Sequence, residues 1–135
     1  MFLKDITDSD TLKDLFVKMS EILLVFIHGS VAKGRTRIDS DIDIAVLFNK
    51  KPSFEQLFKI KDEVSENLNK EIDLTVLNDA SPVIKMQVLK NGKLLFERNK
   101  GEYARFFVNT VKVYDDLKTS RLVIEKNVLK GRIYA

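Results

Sequence analysis

ILLVFIHGSVAKGRTRIDSDIDIAVLF, residues 22–48, holds two apolar runs of strand length joined by a polar connection with two glycines. Ile22 to Ile27 is uninterrupted, the pattern of a strand buried on both faces. Gly29 ends it. From Asp41 to Phe48 a second strand is predicted, with Asp41, Asp43, Ala45 and Leu47 on one face and Ile42, Ile44, Val46 and Phe48 on the other. Strand periodicity therefore aims Asp41 and Asp43 the same way, their Cα atoms roughly 7 Å apart.

Outward from this segment, helices and strands alternate. Asp8 or Ser9 is predicted to cap a helix carrying Leu12, Leu15, Phe16 and Met19 on one side. After the break at Asn49 to Pro52, Ser53 and Gln56 make a capping box. The helix it opens has Phe54, Leu57, Phe58, Lys61, Val64 and Leu68 at helical spacing. EIDLTVL, residues 71–77, reads as a third strand. Ser81 and Pro82 start a helix running to about Lys90 and stopped by Asn91-Gly92, and Lys93 to Glu97 is a short fourth strand. Beyond Gly101, a helical stripe of Tyr103, Phe106, Phe107, Val111, Tyr114 and Leu117 is followed by a further helical stretch over Arg121 to Lys130. The pattern predicts an α/β (α+β) single domain over residues 1–135, with a core at about 21–98 and a helical, basic extension at about 101–130.

Composition bounds the function classes. The 135 residues are 44% hydrophobic and 32% charged, and no apolar run reaches the length of a membrane helix. The acid-interrupted N-terminus lacks the apolar stretch of a secretory signal, and there is no cysteine, so a cytoplasmic protein without disulfides or thiolate metal sites is expected. Net charge is +3, unevenly spread: residues 100–135 carry eight Lys/Arg against four Asp/Glu. Such a tail suits a solvated helix face or a surface for an acidic partner or nucleic acid, the last being the less favoured partner.

The carboxylate pair points to nucleotidyl transfer. That reaction must neutralise a triphosphate, hold its α-phosphorus in line with a nucleophile and activate the nucleophile. Mg²⁺ suits the task and is usually bound by one or two carboxylates plus substrate phosphates. Asp41 and Asp43 meet that need, and Asp73, with Ile72 and Leu74 facing the other way, joins them if its strand is a neighbour. Three carboxylates permit a two-metal site in which Asp73 is a ligand or a base. Gly29 lets the backbone approach phosphate, Ser30 is the candidate phosphate contact beside it, and Lys33, Arg35 and Arg37 are candidate sources of positive charge. No GxxxxGK[ST] or GxGxxG occurs. His28, the only histidine, is a strand-end residue bordering the pocket and cannot build a usual zinc site.

With these residues in place, the segment resembles the nucleotidyltransferase superfamily related to DNA polymerase β, whose pattern is Gly-Ser, a ten-residue spacer and Asp-x-Asp; Gly29, Ser30, Asp41 and Asp43 match it. The remainder is similar to the minimal nucleotidyltransferase branch, small proteins that often act as antitoxins beside a HEPN-domain ribonuclease toxin. ASPVIKMQVLKNGKLLFER, residues 80–98, resembles the helix-strand element that follows the third acidic strand there. Arginine often stands in that branch where this chain has Val31 and Lys33.

The resemblance implies a mixed sheet flanked by helices, ATP with Mg²⁺ as donor, and transfer of AMP to a tyrosine of a HEPN toxin in a homo- or hetero-oligomer. It assigns Gly29 and Ser30 to the triphosphate and Asp41, Asp43 and Asp73 to metal and catalysis. Two alternatives stay open: a non-catalytic nucleotide-binding module that occludes its partner, and a nucleotidyltransferase that modifies RNA or a small molecule.

Overall fold

The computed structural model describes the backbone of residues 2–28 and 42–134 and the side chains of residues 10–28 and 42–122. The elements run α1 (Phe2–Val17), β1 (Ile22–His28), β2 (Ile42–Phe48), α2 (Phe54–Leu68), β3 (Ile72–Val76), α3 (Pro82–Asn91), β4 (Lys93–Glu97) and α4 (Glu102–Tyr134). The strands form one mixed sheet in the order β3-β2-β1-β4, with β1 antiparallel to both β2 and β4 and β2 parallel to β3. The expected mixed sheet flanked by helices is therefore present.

Strand alternation divides the core in two. On one face Ile22, Val25, Ile27, Ile42, Ile44, Val46, Phe48 and Ile72 pack with Leu12 and Phe16 of α1 and Ile60, Val64 and Leu68 of α2. On the other, Leu24, Phe26 and Ala45 pack with Leu77, Val88 of α3 and Phe106 of α4. Phe26 anchors this second layer through tilted ring contacts with Tyr103 and Phe106, at centroid separations of 6.0 and 5.8 Å. Both faces of β1 and β2 are thus covered, which explains their near-continuous apolar runs.

The predicted helix starts succeed where a side chain caps an amide. Ser53 Oγ accepts from Gln56 N while Gln56 Oε1 accepts from Ser53 N, completing the capping box. Ser81 caps α3, with Pro82 in its first turn. At the end of α3, a Cβ on Gly92 would stand 2.6 Å from Val88 O and 3.3 Å from Ile27 O, so only glycine allows this turn to press against the end of β1.

Three expectations need correction. α1 begins at Phe2, which puts Asp8 and Ser9 inside the helix rather than at its cap. The two C-terminal helical stretches are one continuous α4, as nothing between Glu102 and Lys130 breaks a helix. On α2 the core face is Ile60, Val64 and Leu68, whereas Phe54 and Phe58 are 90% and 71% exposed.

Two polar side chains pin the strands from within. The Asn78 amide spans Phe48, accepting from its N–H at 2.9 Å and donating to its carbonyl at 2.8 Å, and so extends the β2–β3 ladder past the end of β3. Arg98 donates to the carbonyls of Phe16, Val17, Met19 and Ile22 at 2.6 to 3.3 Å, tying the end of α1 to the start of β1. Its guanidinium also lies 5.0 Å over the Phe96 ring. Replacing Arg98 by Met keeps the stem and removes the fork, and is expected to cost about 2–3 kcal/mol in urea unfolding. A loss below about 0.5 kcal/mol would show that water replaces the guanidinium.

Candidate active site

The pairing of β2 with its two neighbours decides what stands beside Asp43. In the parallel β2–β3 ladder Asp43 is level with Asp73, and in the antiparallel β1–β2 ladder it is level with His28. Asp73, Asp43 and His28 therefore form one row across three adjacent strands, each about 4.8 Å from the next along the hydrogen-bonding direction. The flanking residues Ile27, Ile44, Ile72 and Leu74 face the α1/α2 core, so the row lies on the α3/α4 face.

Burial is graded along the row. Asp73 is exposed, Asp43 half-buried and His28 half-buried, with its Nε2 shielded from solvent and without a hydrogen-bond partner among the described residues. Gly92 packs close to His28, its hypothetical Cβ lying 3.4 Å from the His28 Cβ. The α3–β4 turn thus closes the His28 end of the row and leaves the Asp73 end open.

The expected partnership of Asp43 and Asp73 is realised by the backbone register. The remaining predicted residues, Gly29, Ser30 and Asp41, together with Lys33, Arg35 and Arg37, lie outside the described residues. Gly29 follows His28 directly and Asp41 directly precedes Ile42. The chain thus leaves β1 and enters β2 at the end of the sheet that carries the row.

Two carboxylates level with one another on neighbouring strands repel, and a shared cation or neighbouring donors offset that repulsion. An all-oxygen donor pair suits a hard divalent ion that completes its shell with substrate oxygens, rather than zinc. Among the described residues no cluster of three or more His, Cys, Asp or Glu could hold a metal by itself. The described residues therefore offer at most two of the carboxylates such an ion would need.

Beside the open end, a cavity of about 420 Å³ lies between α2 and the edge of β3, bordered by Phe58, Lys61, Asp62, Glu71, Ile72 and Asp73. A larger one of about 870 Å³ sits between Leu47, Asn78 and α4, at the other end of β2, away from the carboxylates. The sequence pattern points to the carboxylates and sets His28 at the border of the pocket, but it gives neither the alignment of His28 with Asp43 nor the α2–β3 cavity. Strand order and register depend on distant segments, and no local signal could have supplied either.

Comparison with known proteins agrees with this geometry. The family described as polymerase beta, nucleotidyltransferase matches residues 10–101. The protein adenylyltransferase MntA of Shewanella oneidensis is 27% identical over 127 residues, 94% of this chain and 91% of that protein. A chain of a toxin–antitoxin crystal structure with AMP-PNP superposes with a TM-score of 0.71 at 27% identity, covering 87% of this chain and 98% of that one. A chain from the complex of tri-AMPylated Shewanella oneidensis HEPN toxin with MNT antitoxin gives a TM-score of 0.72 at 25% identity, covering 93% and 98%. With the strand register, the carboxylate row and the family match in agreement, the chain belongs to the polymerase beta nucleotidyltransferase family.

Proposed function

We propose that this protein is an adenylyltransferase that moves AMP from ATP to a hydroxyl of a HEPN-domain toxin and silences it, the acceptor being a tyrosine. The observation that carries this reading is the level pairing of Asp43 with Asp73 at the strand ends. The similarity to the adenylyltransferase MntA and to antitoxin chains crystallised with HEPN toxin and with AMP-PNP supports both donor and partner. Among the described residues no helix is long and apolar enough to cross a membrane, in keeping with a cytoplasmic partner.

The chain's own residues divide the work. Asp41 and Asp43 would hold the cation, Asp73 would meet the acceptor side, and Gly29 and Ser30 would contact the triphosphate. Bound Mg²⁺ would supply charge neutralisation of the triphosphate and a lowered pKa for the acceptor hydroxyl. The acceptor oxygen forms a bond to the α-phosphorus as the bond from that phosphorus to the α–β bridging oxygen breaks. Pyrophosphate leaves, and the hydroxyl proton passes to Asp73 or to water. His28, next to Gly29 in sequence and level with Asp43, would act as a positioning residue for the Gly29-Ser30 segment assigned to the triphosphate.

Incubation of the protein with ATP, Mg²⁺ and the HEPN-domain protein of the adjacent gene should add adenylyl mass to that protein. An unchanged intact mass across nucleotides and metals overturns the reading. Asp43→Asn and Asp73→Asn should each lower the transfer rate by about 100-fold or more with little change in melting temperature. If Asp43→Asn neutralised the toxin as well as the wild type, occlusion rather than transfer would be the mechanism.

His28→Leu removes a buried, unpartnered nitrogen, so its melting temperature should hold or rise. Its KM for ATP should increase several-fold, and an unchanged KM removes His28 from the site.

A further inference from the structure

Helix α2 carries more apolar surface than its own packing uses. Ile60, Val64 and Leu68 face the core, yet Phe54 and Phe58, one turn apart, are 90% and 71% exposed. With Lys61 and Ser65 they form a second stripe, roughly 100° round the helix from the first. That stripe forms a wall beside β3.

β3 is the edge of the sheet, and no described strand pairs with its outer side. Glu71 O accepts from Ile42 N and Leu77 N donates to Val46 O, both toward β2. Alternation then turns the amides and carbonyls of Ile72, Leu74 and Val76 outward. The cavity between wall and edge continues into a smaller one of about 210 Å³ bordered by Phe54, Leu57, Phe58, Lys61, Asp73 and Leu74. Both open onto Asp73, the exposed member of the catalytic row.

We propose that this groove is the docking site for an extended segment of the acceptor protein, which adds a strand to the outer edge of β3. An apolar residue of that segment packs between Phe54 and Phe58 while its hydroxyl reaches Asp73. Three features select this occupant. The groove is continuous with the carboxylate that faces the nucleophile, whose oxygen must come within roughly 3.5 Å of the α-phosphorus. Its border carries Asp62, Glu71 and Asp73 against Lys61, which repels a nucleotide and suits a segment with a basic residue. Unpaired backbone on a sheet edge beside exposed aromatic rings is the geometry of strand addition.

The inference rests on the adenylyl-transfer reading, and the test separates the two. The full-length protein, its Phe54→Ser/Phe58→Ser double variant and its Asp62→Lys variant are assayed with ATP, Mg²⁺ and the HEPN-domain protein of the adjacent gene. The double variant should raise the KM for the acceptor protein by about ten-fold or more while leaving ATP affinity unchanged. Asp62→Lys should raise that KM less, with the difference shrinking in high salt. Without ATP, adding the acceptor protein should slow hydrogen exchange at the amides of Ile72, Leu74 and Val76.

If the wild type transfers AMP but the double variant keeps its KM and these amides stay unprotected, the groove is not the docking site and the transferase reading stands. Protection confined to α4 around Phe107, Val108 and Leu117 also overturns the groove. The same holds for protection of β3 that grows with the concentration of this protein alone, which would make the occupant a second copy. If the wild type transfers nothing, the functional reading fails, whatever the exchange data show at β3.

Discussion

β2 is hydrogen-bonded on both sides, antiparallel to β1 and parallel to β3, and the alignment of Asp43 with Asp73 and His28 depends on that double register. A slip by one residue would turn Asp43 into the α1/α2 core and push Ile42, Ile44, Val46 and Phe48 out of it. Burying a carboxylate in one core layer while forcing large apolar side chains into the space that Ala45 fills in the other is prohibitive for a domain with a margin of roughly 5–15 kcal/mol. The core on one face thus dictates the chemistry on the other. The carboxylate row is held by apolar side chains on the opposite face of the sheet.

The locks on this register lie far from the row. Asn78 grips Phe48 at the opposite end of β2, and Arg98 gathers the end of α1 and the start of β1 from the same side of the sheet. At the row itself the one close backbone approach is Gly92 against Ile27 and Val88. The sheet is therefore fastened at one end and chemically equipped at the other. This division lets a group such as His28 Nε2, buried without a hydrogen-bond partner among the described residues, persist because the fixed end offsets its cost.

Local chemistry was legible in the sequence and long-range order was not. The caps at Ser53 and Ser81, the alternation of β2 and the short β4 follow from side chains acting within four residues of themselves. Asp73 was recognisable as a third carboxylate from its strand pattern, but its place beside Asp43 required knowing that β3 is parallel to β2. Phe54 and Phe58 were counted into the α2 stripe because hydrophobicity alone does not distinguish a ring that meets the core from one roughly 100° away. His28 is recognisable from sequence as a strand end bordering the pocket, but only the β1–β2 ladder sets it level with Asp43.

The placement of Asp73 on an edge strand has a mechanical consequence. Asp43 sits in a strand held by ladders on both sides, whereas β3 is five residues long and, among the described strands, pairs with β2 alone. Asp73 is thus the least constrained carboxylate of the row, and catalysis by oriented charges depends on how little a group must reorganise when the reaction begins. A segment pairing along the outer edge of β3 would give that strand a second ladder and Asp73 the restraint Asp43 already has. The acceptor would then complete the active site it is modified by, so that the geometry for transfer is tightest when the correct protein is docked. A small hydroxyl compound entering the same groove would leave β3 on a single ladder, and the edge would discriminate against it without any dedicated pocket.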